Sequence, residues 1–286
     1  MTSKAKKERN AANARTVLAY IVLVILAFFC LFFFYILLIN ASREHVDIQK
    51  GFSALPGAAF IKNFVNVAKD ANVPVFAGIK NSLIVALLSA GLSCYFSALT
   101  AYGLYAYDFK LKKPAFVFIM LILVMPTQVS ALGFLRLITK MKMADTIFPL
   151  FLPSIAAPSI FYFMYSYMQS SLPMSLVEAS RIDGASEFKT FNKIVLPIMK
   201  PAMAVQAIFA FVSSWNNYFM PALVLSTQKK KTLPILIASL RSADFLKFDM
   251  GKVYMLITIA IVPIIVVYIL LSKFIVEGVA LGGVKE

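Results

Sequence analysis

The chain alternates long apolar runs with short polar segments. A helix needs roughly 20 apolar residues to cross the hydrocarbon core of a bilayer. Six runs reach or approach that length: residues 17–39, 82–107, 115–135, 146–168, 201–225 and 253–275. A soluble core does not require such uninterrupted runs. The pattern therefore predicts an all-α integral membrane protein with six transmembrane helices.

These runs define the expected segments of the chain. They are a basic cytoplasmic tail at 1–16, the first transmembrane helix at 17–39, an external loop at 40–75, a membrane domain at 76–275 that contains a cytoplasmic loop at 169–200, and a C-terminal cytoplasmic tail at 276–286. The first run is too long for the apolar region of a signal peptide, and no small-residue cleavage site follows it. We therefore expect it to remain as a membrane span.

Charge indicates the orientation only weakly. With the N-terminus inside, lysine and arginine are divided almost equally between the two faces, so the positive-inside rule is nearly a tie. The basic tail and the cluster of Lys110, Lys112 and Lys113 favour the N-terminus inside. Six spans then place the C-terminus inside as well.

Composition supports a membrane protein and excludes several other classes. Hydrophobic residues make up 60% of the chain and charged residues 14%, with a formal net charge of +15. The cations lie in connecting segments without a stripe on one face, so we expect no nucleic-acid partner. Cys30 and Cys94 lie inside apolar runs without metal-ligand spacing. The one histidine, His45, has no partnered constellation, so neither a catalytic nor a metal site is predicted.

The sequence has neither acidic residues in the middle of its spans nor a nucleotide-binding loop, which are the usual features of ion-coupled and ATP-hydrolysing transport proteins. Its acidic residues lie in tails, loops or span edges, which weighs against an ion-coupled carrier. Backbone carbonyls can coordinate sodium, so such a carrier remains an alternative. No G-x-x-x-x-G-K-[ST] loop is present either. If ATP drives transport, ATP and magnesium must bind a separate subunit, and this chain needs no cofactor.

Several uncharged polar side chains interrupt the spans. In hydrocarbon each one costs free energy unless it is paired or faces water. One interpretation is hydrogen bonding between helices, and the other is the lining of a path for a hydroxyl-rich solute. The candidates for such a path are Gln128, Gln206, Trp215, Asn216 and Asn217.

The longest polar stretch of the predicted inner face reads as two helices joined by a tight turn. Pro173 suits the first turn of a helix, and Asp183-Gly184 is typical of a helix end, because glycine adopts the left-handed conformation easily. Ser186 is a candidate cap for the second helix. Composition alone leaves an ordinary amphipathic surface helix as an alternative.

The second helix has its own pattern. Phe188, Phe191 and Val195 fall on one face at helical spacing. We expect the Leu196-Pro197 pair to end this helix and Pro201 to begin the next span. Before the turn, Glu178, Arg181 and Asp183 offer charged groups for a partner protein.

The segment E-A-S-R-I-D-G-A, followed by an apolar helix and L-P, resembles the EAA loop of type I ABC importer permeases. Ser180 replaces the second alanine of that pattern, which keeps the residue small. In that family the loop docks into a cleft of the ATPase subunit, which implies a cytoplasmic loop and both termini inside. The residues to which the resemblance assigns coupling to the ATPase are Glu178, Ala179, Ser180, Asp183, Gly184, Ala185, Leu196 and Pro197.

Other segments resemble the sugar-importer branch, and in particular its maltose-type second permease subunit. They are Asn81-Leu83, Thr100-Gly103, Met125-Pro126, Asp145-Thr146, Trp215-Asn216, Thr232-Pro234 and the closing residues 278–285. The resemblance implies a sugar importer, with an oligosaccharide as the expected solute, in a bacterial cytoplasmic membrane. Its expected partners are a homologous permease in a heterodimer, two ATPase subunits and an external solute-binding protein.

Two questions stay open at the level of sequence. A permease for a polyol, a glycerol phosphate or another small solute would share the whole loop pattern. The external segment 226–252, with its run Lys229–Lys231, is a candidate surface for the binding protein, and a solvated charge run is the alternative.

Overall fold

In a computed structural model, which describes residues 3–241 and 249–282, every regular element of those residues is helical. This confirms the predicted all-α class. Contacts along the chain divide it into two compact units. The N-terminal unit comprises Met1–Lys69 and Ala243–Ile259, and the main unit comprises Asp70–Ser242 and Ala260–Glu286.

The N-terminal unit begins with a long helix whose apolar surface is exposed. Its helices are α1 (Ser3–Ala41), α2 (His45–Gln49) and α3 (Phe60–Ala68). The last carbonyls of a helix have no partner within it. Here the side-chain amide of Asn63 donates hydrogen bonds to the carbonyls of Ala41 and Arg43, both at 2.9 Å. Asn63 on α3 therefore supplies hydrogen bonds to backbone carbonyls at and just after the end of α1.

The main unit and the helix that closes the chain contain the remaining elements. They are α4 (Val75–Ala106), α5 (Lys112–Val124), α6 (Thr127–Lys140), α7 (Phe148–Phe151), a 3-10 turn (Leu152–Ile155), α8 (Pro158–Ser171), α9 (Met174–Ile182), α10 (Glu187–Thr190), a π turn (Phe191–Val195), α11 (Leu196–Trp215), α12 (Phe219–Val224), a 3-10 turn (Gln228–Lys230), α13 (Leu233–Arg241) and α14 (Met250–Gly282).

Helix α4 packs against several others through a stripe of small side chains. Small residues let helix backbones approach closely in a membrane, where apolar burial between helices provides little driving force. The serines of this stripe also bond to different neighbours. Ser82 accepts the backbone N–H of Leu233 at 2.9 Å, and Ser89 accepts the hydroxyl of Ser214 at 3.3 Å. One face of α4 thus holds α13 and α11 together.

The two ends of α4 carry different sets of contacts. At its start, the amide of Asn81 donates to the carbonyls of Lys229 and Lys231, at 3.0 and 3.1 Å. At its finish, the guanidinium of Arg181 donates to the carbonyl of Ala106 at 3.4 Å. We call these the Asn81 end and the Arg181 end.

The bent pair α5–α6 connects these two ends. Helix α5 starts shortly after Ala106, at the Arg181 end. Ile138, near the finish of α6, packs against Val224 and Leu225, which precede the segment bonded to Asn81. The pair therefore runs from one end of α4 to the other, although its axes differ by 102°. The described residues contain five helices that are long and apolar enough to cross a membrane, and six such segments when this pair counts as one span, the number that the hydrophobic pattern predicts.

The bend of this crossing has a local cause. The sequence predicts one continuous run over 115–135, but the helix stops after Val124. Met125 is extended, with ψ 124°, and Pro126 has ψ 126°. The ring of a proline disfavours helical geometry at the preceding residue and supplies no N–H to the ladder. Pro126 therefore divides the span.

Two predicted boundaries are wrong at the fifth span, which the sequence places at 201–225. Helix α11 begins at Leu196, contains Pro201 and ends at Trp215. A proline deletes one backbone hydrogen bond, and a membrane helix tolerates this when its other turns are packed. Met199 and Ala202 are buried in the core on either side of Pro201. Packing of the flanking residues therefore keeps the chain helical on both sides of Pro201.

The sixth span also differs from the predicted range of 253–275. Helix α14 runs from Met250 to Gly282, so most of the tail predicted at 276–286 is helical. The rest of that tail lies outside the described residues.

Asp145 organises the Asn81 end from the loop between α6 and α7. Its carboxylate accepts the N–H groups of Ser226 and Thr227, at 2.9 and 3.0 Å. It also accepts the Thr227 hydroxyl at 2.7 Å and pairs with Lys230 at 2.9 Å. The hydrogen bonds from Thr227, followed by those from Lys230 and Ser226, hold the pKa of Asp145 well below its usual range.

Replacing Asp145 with asparagine should lower the thermal stability of the protein at neutral pH, because the carboxylate loses its charge-assisted partners. A carboxylate whose pKa is lowered by folding stabilises the fold above its unfolded pKa and ceases to do so as pH falls. The difference in Tm between wild type and Asp145→Asn should therefore narrow below about pH 4. Thermal unfolding in detergent from pH 7 to pH 3 measures it. A difference that is independent of pH would contradict the assignment.

Candidate functional site

The turn between α9 and α10 is a glycine-terminated helix end. Gly184 has φ +74°, in the left-handed region that favours glycine. Its N–H donates to the carbonyl of Arg181 at 3.1 Å, and the N–H of Ala185 donates to the carbonyl of Ser180 at 3.0 Å. This pair of bonds is the Schellman arrangement. The prediction of a stop at Asp183-Gly184 is confirmed, and we call residues 174–190 the elbow.

The second helix begins as predicted but does not end as predicted. The hydroxyl of Ser186 accepts the N–H of Lys189 at 3.4 Å and caps α10. The chain then continues through a π turn directly into α11, so Leu196-Pro197 does not end a helix. Leu196 packs against the core, and Pro197 lies exposed near the start of α11.

The inner face of the elbow is closed by polar contacts. Ser180 and Thr190 are buried, and their hydroxyl oxygens lie 2.7 Å apart. The Nε of Arg181 donates to Glu187 at 2.7 Å, and this carboxylate raises the pKa of Arg181 above its already high value. Ser180 therefore joins the two helices of the elbow. Arg181, expected to meet a partner, is bonded within the chain.

The outer face of the elbow combines apolar side chains with acidic ones. Ile182 is 86% exposed and Phe188 is 69% exposed. The carboxylates of Glu178 and Asp183 are exposed with them, and Ala179 and Gly184 leave the backbone accessible. These exposed apolar and acidic side chains make this part of the elbow a candidate interaction surface.

Sequence reasoning missed Ile182 and misplaced Phe188. Val177 and Ser180 define the buried stripe of α9, and helical spacing then turns Ile182 to the opposite side. Phe191 and Val195 are fully buried, but Phe188 is not. A π turn holds more residues per turn than an α-helix, so it shifts the face that an α-helical spacing predicts.

The polar candidates near the finish of α11 have different environments. Trp215 is 2% exposed, stacks on Phe211 with a centroid distance of 5.7 Å, and donates its indole N–H to the carbonyl of Ala260 at 3.1 Å. Its N–H is therefore occupied in this conformation. Asn217 is also engaged, because its side-chain oxygen accepts the N–H of Met220 at 3.3 Å.

A cavity of 260 Å³ opens beside these residues. Its polar lining includes Asn216 and Tyr218, both exposed, and Trp215 borders it. The remaining lining residues are Leu233, Pro234, Ile237, Ala238 and Ala260. Gln206 is half-buried on α11 and Gln128 is exposed on α6, and neither belongs to this lining. The structure thus brings together part of the predicted polar set.

Comparison with known proteins agrees with this architecture. Residues 94–279 match the family described as "Binding-protein-dependent transport system inner membrane component". The chain is 35% identical over 208 residues to the arabinooligosaccharides transport system permease protein AraQ of Bacillus subtilis, covering 72% of each chain. It is 28% identical over 275 residues to the trehalose/maltose transport system permease protein MalG of Thermococcus litoralis, covering 95% of this chain and 97% of that one.

A solved structure shares the fold. The crystal structure of a bacterial ABC transporter involved in the import of the acidic polysaccharide alginate aligns over 96% of this chain and 98% of that one. The TM-score is 0.77 at 19% sequence identity. This likeness shows the fold.

The crossing segments and the elbow define the membrane-spanning subunit of an ATP-driven importer. The chain belongs to the family of binding-protein-dependent transport system inner membrane components. It is a multi-pass transport subunit of the bacterial cytoplasmic membrane, and in such systems the ATPase is a separate component. This membership decides against the ion-coupled carrier that the sequence left open.

Two substitutions of Gly184 should distinguish the effect of its backbone conformation from the effect of added bulk at the surface. A Cβ at Gly184 would meet nothing in the chain within 4 Å, so a larger side chain there would disturb only a docked partner. A residue that disfavours positive φ would instead destabilise the turn itself. Asparagine tolerates positive φ better than other side chains. Gly184→Asn should therefore retain part of ATPase co-purification, and Gly184→Trp should lose it.

The matched control is Gly51→Trp, which imposes a comparable backbone cost in another loop, at φ +109°. Its co-purification with the ATPase should equal that of wild type. Normal co-purification and uptake in Gly184→Trp would contradict the role of this turn.

Proposed function

We propose that this chain is the permease subunit of a binding-protein-dependent sugar importer and that its elbow docks onto the ATPase. The observation that carries the proposal is the exposed part of the elbow, where Ile182 and Phe188 stand two residues before and four residues after Gly184, whose own surroundings are open. Anchors of this kind contribute most when a pocket on the partner buries them. Glu178 and Asp183 then meet cations at the rim of that pocket.

The proposed complex contains this chain, a homologous permease, two ATPase subunits that bind ATP and magnesium, and an external solute-binding protein. Ala179 and Ala185 keep the elbow narrow enough to enter a cleft. Ser180, Leu196 and Pro197 act from behind the contact surface, because they join or extend the helices that carry it. Closure of the ATPase pair moves the elbow and shifts the balance between two states of the membrane bundle.

Docking also assigns an orientation. An elbow in the cytoplasm places the Arg181 end of α4 inside and the Asn81 end outside, with both termini of the chain inside. The loop around Asp145 and the bonded segment from Ser226 to Lys231 then face the binding protein. Lys229 is exposed there, whereas Lys230 pairs with Asp145. Lys229 is therefore the better candidate for acidic groups on the partner.

The proposed solute is an oligosaccharide. The arabinooligosaccharide and trehalose/maltose permeases are relatives over most of their length. Asn216 and Tyr218 present amide and phenol groups to the cavity beside Trp215, and sugars are recognised by such donors and acceptors next to aromatic surfaces. Gln128, Gln206 and Asn217 remain candidates for other points of the path.

Uptake by proteoliposomes tests the proposal. They would contain the complex of this chain with its cognate permease, ATPase and binding protein. Labelled arabino-oligosaccharides and maltodextrins should accumulate only when ATP is present on the ATPase side, and a proton uncoupler should not change the rate. Accumulation of glycerol phosphate or a polyol instead would refute the sugar assignment.

Asn216→Ala should lower sugar uptake by about tenfold, because one hydrogen-bonding group of the path is lost. ATPase co-purification should stay normal, since the elbow precedes the start of the 20-residue helix α11 and Asn216 follows its end. Ser213→Ala, an exposed position on α11 outside the cavity lining, is the control and should transport like wild type. Equal uptake by both variants would remove Asn216 from the path.

A further inference from the structure

We propose that four residues form a latch that transmits motion of the elbow to α4. They are Tyr95 and Tyr102 on α4, and Arg181 and Glu187 on the elbow. This inference rests on the proposed docking of the elbow and adds the connection by which that docking acts on the bundle. These are positioning residues, because they act through other elements and do not touch a solute.

The first part of the latch is a pair of tyrosines that hold one ring between them. Phe191, in the π turn, is fully buried, and its ring centroid lies 5.6 Å from that of Tyr95 and 5.6 Å from that of Tyr102. The two tyrosines are about two turns apart on one face of α4. The π turn therefore cannot slide along α4 without breaking ring contacts on one side.

The tyrosine hydroxyls bond to residues that flank Phe191. The hydroxyl of Tyr102 donates to Glu187 at 2.7 Å, and that of Tyr95 donates to the side-chain oxygen of Asn192 at 3.3 Å. The amide of Asn192 in turn donates to the carbonyl of Phe188 at 2.8 Å. These bonds are directional, so they restrain the same register that the ring contacts hold.

The second part of the latch joins both helices of the elbow to the same point. Glu187 accepts from Arg181 at 2.7 Å as well as from Tyr102. Arg181 donates to the carbonyl of Ala106 at 3.4 Å and lies over the ring of Tyr107, 5.1 Å from its centroid. Arg181 precedes Gly184 and Glu187 follows it. A displacement applied at the turn therefore reaches α4 from both sides.

This arrangement favours α4 as the entry point of the motion. Charge-assisted bonds are stronger than neutral ones, and they are screened less when partly shielded from water. Through its small face, α4 then contacts α8, α11 and α13. An element that is bonded at one end and packed along its length can pass on a discrete change of position.

The test measures solute accumulated per ATP hydrolysed in the full proteoliposome complex. Tyr102→Phe keeps the ring against Phe191 and removes only the hydroxyl, and Glu187→Gln keeps the shape of the side chain and removes its charge. Each should lower the ratio by about tenfold, the effect of losing a hydrogen bond to a charged group. Both complexes should still co-purify with the ATPase and hydrolyse ATP.

Asp108→Asn is the control. It breaks the exposed ion pair of Asp108 with Lys112, 2.9 Å long, beyond the same end of α4 and outside the latch. Its ratio should equal that of wild type, since exposed pairs contribute little.

Each result decides the proposal. A lower ratio in both latch variants with intact hydrolysis supports the latch. An unchanged ratio overturns it, and so does loss of the ATPase from these variants, because the residues would then maintain docking and not transmission. If the wild-type chain itself fails to retain the ATPase, the proposed docking fails instead.

Discussion

Close packing along the small-residue face of α4 is the constraint on which the main unit depends. Lipid is as apolar as the side chains, so membrane helices associate through tight contact and hydrogen bonds. Ala86, Ala98 and Ala101 are fully buried there. Larger residues at these positions would push the neighbouring helices away and leave the serine hydroxyls between them unpaired, which is costly in hydrocarbon.

The elbow is anchored to this packed bundle and carries the surface that we propose to face the cytoplasm. Its inner face carries Ser180, Thr190 and Arg181, all of them bonded within the chain. Its outer face carries Ile182 and an open turn at Gly184. One short hairpin therefore combines a rigid attachment with an accessible surface. A loop that transmits movement needs both, because an unanchored loop would absorb the movement of its partner.

Several features of this architecture follow from local rules and were predictable. The helices that are apolar and long enough to cross a membrane follow from apolar run length, and the turn follows from Asp183-Gly184 with Ser186 as a cap. Other features depend on neighbours that are distant in sequence. Helix α11 passes through Pro201 because its flanking residues are buried, and Phe188 faces outward because a π turn follows it. Trp215 has its N–H bound to Ala260, a partner on another helix.

The sequence by itself determined the class of protein, the apolar helices that can span a membrane and the position of the elbow. These depend on composition, on run length and on the conformations that glycine and proline allow, which are properties of short stretches. Only the tertiary structure decided which polar side chains are occupied and which are exposed. Arg181 is the clearest case: its sequence neighbours suggest a contact with a partner, but Glu187 and the finish of α4 bind it within the chain. Pairing of this kind is set by residues that meet only after the helices have packed.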